Sequence, residues 1–273
     1  MKRFVVSLAN RPALKESFSD LYSDPEFEVI DHPVSIKNNL LNFLYRAHMS
    51  KKLNDNFYLP FKSIWKRFYF IDGIDWDLYK EKYLIIVDSA LVWYSAKYLN
   101  HVRRDHNIKI ILLLFNPMNI LQSNKTFMEI YNRVNFDLKL CTFDVRDVDQ
   151  FDCKQTYSIY SKLNFNYCDP CYDIVYLGMD KGRYKKILEC YKLAKGSGLT
   201  VDFSIINCQE DAANREPGIK YIKEVPYIKY LDLVNKSKAI LEIVQKGQEG
   251  ITLRTFEAIV YGKHLFTNNQ HVK

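Results

Sequence analysis

The chain has 273 residues, 48% of them hydrophobic and 26% charged, with a formal net charge of +7. That composition excludes a disordered chain, and the length exceeds the roughly 100 to 200 residues of a usual single domain, so two packed domains are expected, with one large domain as the alternative. The longest apolar run, Ile110 to Phe115 with its flanks, is far below the roughly 18 residues needed to span a bilayer, and Met1-Lys2-Arg3 opens a run too short for a secretory signal, so the expected location is the cytoplasm.

In chain order, the first strand-like run is Phe4-Val5-Val6-Ser7-Leu8. After Pro33 the pattern turns helical: Ser35 is the expected N-cap, and Ile36, Leu40, Phe43, Leu44 and Ala47 recur at the helical period, an amphipathic helix covering a sheet. Between Ser35 and Phe70 stand seven basic residues (Lys37, Arg46, Lys51, Lys52, Lys62, Lys66 and Arg67) against one acidic, Asp55, so this segment carries almost all of the excess charge. Phe57, Tyr58, Phe61, Trp65, Phe68 and Tyr69 are interleaved with them. The mixture suits a membrane headgroup layer, where each basic residue near an anionic surface contributes about 1 kcal/mol. Nucleic acid competes for the same charge, and a solvated helix face over core aromatics is the plain alternative.

Tyr83 to Val87, Ile108 to Phe115 and Lys139 to Phe143 follow as strands, several continuously apolar, as burial on both faces requires. Asp88, at the end of the first of these, reads as a helix cap or a cleft residue. From Ser161 to Asp173 the apolar periodicity lapses, which places a boundary between domains at 1–167 and 168–273. Cys168 and Cys171 in that stretch form a CxxC without a second pair at zinc-ribbon spacing, and with four further cysteines at irregular spacing they read as reduced thiols.

A second α/β series runs from the strand Tyr172 to Leu177 through a helix at Arg183 to Ala194, ended by Gly196 and Gly198, and the strand Thr200 to Ile206. Ile219 to Tyr221, a short helix near Tyr230 to Asn235, the strand Ala239 to Val244, a helix from Thr252 to about Tyr261 and the strand Lys263 to Thr267 complete it. Alternation in both halves predicts two doubly wound Rossmann-like lobes, with ligands at the carboxyl ends of the strands.

The segment Gln248 to Lys263 carries the most chemistry. Leu253, Phe256 and Val260 fall on one expected core stripe of its helix. Glu249 precedes the helix, and Gly250 allows close backbone approach to a ligand. The amides near Ile251, Thr252 and Arg254 offer an anion site contributing about 0.3 to 2 kcal/mol. Glu257 lies one to two turns deeper. A carboxylate accepting from a vicinal hydroxyl contributes about 1.5 to 3 kcal/mol, so two glutamates around an anion site fit hydroxyls on both sides of a diphosphate, as in a nucleotide sugar. A second element, Leu177-Gly178-Met179-Asp180-Lys181-Gly182-Arg183, closes a strand and opens a helix, where Arg183 is able to chelate phosphate and Lys181 to act as a point charge.

The run EGITLRTFEAIVYGK, with seven residues between Glu249 and Glu257, resembles the paired-glutamate motif of GT-B glycosyltransferases, and Ala239 to Asn269 is similar to the C-terminal lobe of bacterial capsular and lipopolysaccharide enzymes of that group. The resemblance implies a GT-B architecture and a catalytic Glu249 touching the donor sugar, with Glu257 on the ribose hydroxyls. Gly178, Lys181, Arg183, Gly250, Thr252 and Arg254 complete the implied donor site. It also implies an acceptor-side first lobe with the loop Ala9-Asn10-Arg11-Pro12 facing the cleft. GT-B lobes normally continue past the strand matching Lys263 to Thr267, so the second lobe is expected to be short of its usual closure.

GxGxxG and GxxxxGK[ST] are absent, against a dehydrogenase or an NTPase, and His32, His48, His101, His106, His264 and His271 lack metal-site pairing with carboxylates. The expectation is therefore no metal and no cofactor, with a nucleotide-diphosphate sugar as donor. The partners expected are a glycan or lipid-linked acceptor and a membrane surface at residues 35–70, not nucleic acid. A non-catalytic nucleotide-binding module is the alternative. A basic nucleic-acid binder acting through Lys62, Lys66 and Arg67 leaves the glutamates unexplained.

Overall fold

The computed structural model describes residues 2–9, 12–65, 67, 68, 71, 74–134, 138–166, 168–246 and 248–272; Met1, Asn10, Arg11, Lys66, Tyr69 and Phe70 lie outside them. The chain divides into two compact units, 1–157 and 158–273. The segment after 157 belongs to the second: Leu163 exchanges two 3.2 Å hydrogen bonds with the Tyr261 hydroxyl, and Phe165 packs on the Tyr261 ring at 5.9 Å.

The first unit runs β1 Lys2–Ala9, α1 Pro12–Ser17, β2 Phe27–His32, α2 Asn39–His48, α3 Lys51–Asn56, β3 Glu81–Val87 and α4 Asp88–Leu91. It continues with α5 Ala96–His106, β4 Lys109–Leu114, α6 Met118–Leu121, α7 Lys125–Arg133, β5 Lys139–Thr142, α8 Val145–Phe151 and β6 Lys154–Gln155. The strands form one parallel sheet in the order β2-β1-β3-β4-β5-β6. Val5, Val6 and Leu8 of β1 and Leu84, Ile86 and Val87 of β3 are wholly buried, as the continuous apolar runs require of strands covered on both faces. The order reverses around β1, which fixes the topological switch point of this sheet.

The helix after Pro33 departs from expectation. It begins at Asn39, and Asn38, not Ser35, caps it by accepting from the Leu41 amide at 3.0 Å. Its expected core stripe faces outward, with Leu40 and Phe43 each 69% exposed and Leu44 46% exposed. The inward side is instead Tyr45, which meets Trp65 edge-on at 5.4 Å. Two aromatic rings fill the space that the apolar stripe was expected to take. Lys62 and Trp65 are also buried, the Lys62 ammonium donating to the His48 carbonyl at 3.2 Å and lying over the Tyr58 ring at 5.2 Å.

The second unit runs β7 Tyr172–Met179, α9 Tyr184–Gly196, β8 Val201–Ile206, β9 Lys220–Ile222, α10 Tyr227–Asn235, β10 Ser237–Glu242, α11 Leu253–Val260 and β11 His264–Thr267. Its parallel sheet has the order β11-β10-β7-β8-β9. Tyr176, Ile187, Phe203 and Ile205 belong to one apolar cluster, while Leu231, Val234, Ile240 and Ala258 form another. The molecule is thus α/β, with two doubly wound parallel sheets in succession, the class read from the sequence. Strand order reverses between β7 and β10, so the carboxyl ends of those two strands mark the crevice where ligands of such sheets bind. No helix among the described residues is long and apolar enough to cross a membrane.

Candidate functional site

The switch point of the second unit gathers most of the singled-out residues. From β7, the turn at Asp180 to Arg183 passes through two left-handed residues, Lys181 (φ 46°) and Gly182 (φ 73°), a conformation that glycine adopts without strain. Asp180 is buried and holds the turn: one carboxylate oxygen accepts from the Arg183 and Tyr184 amides, both at 3.0 Å, and the other from the Gln209 amide at 2.7 Å. The start of α9 is therefore already occupied by a carboxylate. The Arg183 guanidinium folds back across the strand ends, donating to the carbonyls of Asp180 (3.1 Å), Met179 and Ile243. Burial pushes its pKa below the ordinary arginine range, and the like charge of Arg254 adds to that.

Arg254 reaches the same edge from α11. It donates to the Leu177 carbonyl, its guanidinium lies over the rings of Tyr176 (5.7 Å) and Tyr230 (5.8 Å), and its Nε is sealed from solvent without a partner. Gly178 is what lets it pass: a Cβ there would stand 2.8 Å from the guanidinium and 2.9 Å from the Tyr176 hydroxyl. Neither arginine forms an ion pair among the described residues.

Thr252 is the N-cap of α11, accepting from the Arg254 amide at 3.1 Å while its hydroxyl donates to Glu242. Glu242 ends β10, is buried, and takes a second hydroxyl from Thr267 at the end of β11. Sequence reasoning missed it, although a carboxylate inside the apolar run Ala239 to Val244 was a readable signal, since a charge is buried in a strand only when it is bonded there. The loop from Ile243 to Thr252 is tied to the loop after β11: Asn269 donates to the Gly250 carbonyl at 3.0 Å, and Asn268 accepts from the Val244 amide at 2.8 Å. Glu249 lies in that loop, 41% exposed, with an oxygen 3.5 Å from the His271 ring.

Glu257 lies one turn along α11 from Arg254, against α10. It is 2% exposed, and its two oxygens accept from the Tyr227 hydroxyl at 2.5 Å and the Tyr230 hydroxyl at 2.6 Å. Burial raises its pKa, opposed by the positive charge of Arg254 and the tyrosine bonds. The buried face of α11 is accordingly Thr255, Glu257 and Ala258; Leu253, Phe256 and Val260, the expected core stripe, are only half-buried. A polar network with tyrosines of α10 has displaced the apolar packing that the spacing predicted.

In the first unit, Asp88 is buried and structural. One oxygen accepts from the amides of Phe115 (3.0 Å) and Asn116 (2.8 Å) and from the Asn116 side chain (2.9 Å), and burial raises its pKa against those bonds. Cys168 accepts from the Asn235 side chain at 3.4 Å, and all six cysteines are free. Among the described residues, no group of three or more His, Cys, Asp or Glu is arranged to hold a metal.

No known protein family matches the chain, and no curated protein does. Among solved structures, it is similar to the glycotransferase of kitacinnamycin (TM-score 0.45, 9% identity, 99% of this chain and 81% of that one). It is also similar to Phytolacca americana UGT2 complexed with UDP-2fluoro-glucose and pterostilbene (TM-score 0.45, 12% identity, 97% and 80%). A third is an alpha-glucosyltransferase in complex with UDP-glucose and DNA containing an abasic site (TM-score 0.48, 11% identity, 97% and 79%).

Proposed function

We propose that the chain is a GT-B glycosyltransferase that takes a sugar from a nucleotide-diphosphate donor held at the β7/β10 switch point of the second unit. One observation carries the reading: two half-buried guanidinium groups, Arg183 and Arg254, converge on that edge without a carboxylate in ion-pair contact among the described residues. Their described hydrogen bonds go to backbone carbonyls, and the carboxylates of Glu242 and Glu257 act on Arg254 only from beyond ion-pair range, so a diphosphate supplies the direct neutralisation that both groups lack. In transfer, the bond from the anomeric carbon to the diphosphate oxygen breaks, its electron pair leaving with the diphosphate, while the acceptor hydroxyl bonds to that carbon and gives its proton to water. Arg183, with Lys181 as a point charge, steadies the negative charge that accumulates on the departing diphosphate. Glu249, half-exposed in the loop above, is the group proposed to touch the donor sugar.

The resemblance of Ala239 to Asn269 to capsular and lipopolysaccharide enzymes supports a glycan or lipid-linked acceptor in surface polysaccharide synthesis. The outward face of α2, with Lys37, Arg46 and Lys52 beside it, supports contact with an anionic membrane.

The test is a thermal-shift panel of uridine, guanosine, cytidine and thymidine diphosphate sugars, followed by a donor-consumption assay. Stabilisation by one base, with turnover lost in Glu249→Gln while stabilisation persists, is the expected result; no stabilisation by any donor removes the reading. A non-catalytic nucleotide-binding module is favoured by a separate observation, that both Glu257 oxygens are already taken by tyrosines. That alternative predicts stabilisation without turnover in the wild-type chain.

A further inference from the structure

The first unit has its own switch point, and it is hollow. A cavity of about 380 Å³ opens there, lined by His32 at the carboxyl end of β2, by Val92 and Trp93 after α4, by Tyr45 and Arg46 of α2 and by Met49 just after it. Its volume lies in the range of about 300 to 1,000 Å³ typical of small-molecule sites. Its position across β1, between the ends of β2 and β3, is where an open parallel sheet binds ligands.

The polarity of the cavity changes along its depth. Val34, Tyr45, Met49 and Val92 make an apolar wall, and the methionine adapts its shape to a flexible ligand. At the buried end, His32 meets the Tyr94 hydroxyl at 2.9 Å, and that hydroxyl donates to Ser7 on β1 at 2.8 Å, so His32 is the donor to Tyr94. With its ring stripped of water, His32 is pushed down to about 4 and stays uncharged at neutral pH. Charge appears only at the other end. Lys51 is engaged by Glu129 at 3.2 Å and by Asp55 at 3.9 Å, whereas Arg46 is exposed and makes no hydrogen bond or ion pair among the described residues.

We propose that this cavity binds an amphiphile, an aliphatic chain lodged against Val34, Met49 and Val92 with a terminal phosphate on the Arg46 guanidinium. An uncharged, apolar interior excludes a nucleotide or a free sugar, which would arrive with more polar groups than it could satisfy. A single uncommitted fork of donors at the mouth matches one phosphate. Every group involved belongs to the first unit.

Calorimetric titration of the full chain with dodecyl phosphate, below its micellar concentration, tests it. Saturable one-to-one binding is expected, weakened at least about tenfold by Met49→Trp, which fills the cavity. Arg46→Gln is expected to weaken dodecyl phosphate about tenfold and dodecanol less than twofold, and inorganic phosphate alone is expected to give no saturable heat. Should Met49→Trp fail to fold, Val34→Phe fills the same wall by less and is expected to weaken binding in the same direction. Absence of saturable binding, wild-type affinity in a folded filling variant, or a larger loss from Phe43→Ser on the outer face of α2 would each overturn the proposal.

Discussion

A buried imidazole in a hydroxyl chain makes the first unit sensitive to acid. His32 has a folded-state pKa of about 4 against an unfolded value of 6.5, because burial penalises its charged form. The unfolded chain therefore binds the extra proton between those values. The stabilisation is fully present above pH 6.5 and is lost as pH falls through 4; a gap of that size amounts to about 3 kcal/mol. All three tryptophans, Trp65, Trp76 and Trp93, lie in the first unit, so tryptophan emission during urea unfolding reports on that unit alone. His32→Gln is expected to flatten the loss of stability between pH 7 and 4.5, and an unchanged slope in the variant would remove His32 as its source. In the second unit, Gly178→Ala sets a methyl 2.8 Å from the Arg254 guanidinium and 2.9 Å from the Tyr176 hydroxyl, so those buried side-chain ends must shift. Overpacking of this kind costs about 1 to 3 kcal/mol, to be seen as faster amide exchange along β7.

What the sequence disclosed about the site follows the same geometry. The position of Gly178, Arg183, Thr252 and Arg254 at strand ends and helix starts was legible from chain order alone, and the fold brings them to one edge of the second sheet. The tyrosine partners of Glu257 were not, since Tyr227 and Tyr230 stand on another helix and meet it only after folding. Glu242 stayed hidden within an apolar run whose hydrophobicity masked it.

At the scale of elements, the continuous apolar strands β3 and β4 were readable, whereas β2, Phe27-Glu-Val-Ile-Asp-His, was not. Only Ile30 and His32 of that edge strand are buried, and its stability comes from pairing with β1 along the register Phe4↔Phe27 to Ala9↔His32, with Phe4 stacked on Phe27 at 5.0 Å. The period of α2 was read correctly and its direction wrongly, because its rotation is set by Tyr45 against Trp65. A helix apolar on both sides is under-covered in water. If an anionic bilayer covers the outer side, the chain should co-sediment with phosphatidylglycerol vesicles far more than with phosphatidylcholine vesicles. Phe43→Ser with Lys52→Glu should abolish most of that binding. Lys62→Gln should leave it unchanged while lowering the stability of the first unit, because Lys62 is buried beneath the patch. Equal binding to both vesicle types would remove the membrane assignment.

At the scale of the whole molecule, each sheet reverses its strand order once around its first strand, and chemistry has collected at each reversal: guanidinium groups and hydroxyl-bonded carboxylates in the second unit, an apolar hollow with Arg46 and the ion-paired Lys51 at its mouth in the first. The reversal is a consequence of right-handed crossovers laid first to one side of a strand and then to the other, which leaves the two helices apart and the strand ends uncovered between them. Two chemically opposite sites should then respond to different ligands. Hydrogen exchange read by mass spectrometry separates them. A nucleotide-diphosphate sugar at about 100 times its dissociation constant should stabilise the segment it binds by about 2.7 kcal/mol, slowing exchange at 178–184 and 243–254. Dodecyl phosphate should slow exchange at 32–36 and 45–51. Arg183→Ala should cancel the first pattern and leave the second, and Arg46→Gln the reverse. Protection by the nucleotide sugar at 45–51 in place of 243–254 would put the donor in the wrong unit, and would strip Arg183, Arg254 and Glu249 of their proposed roles in holding it.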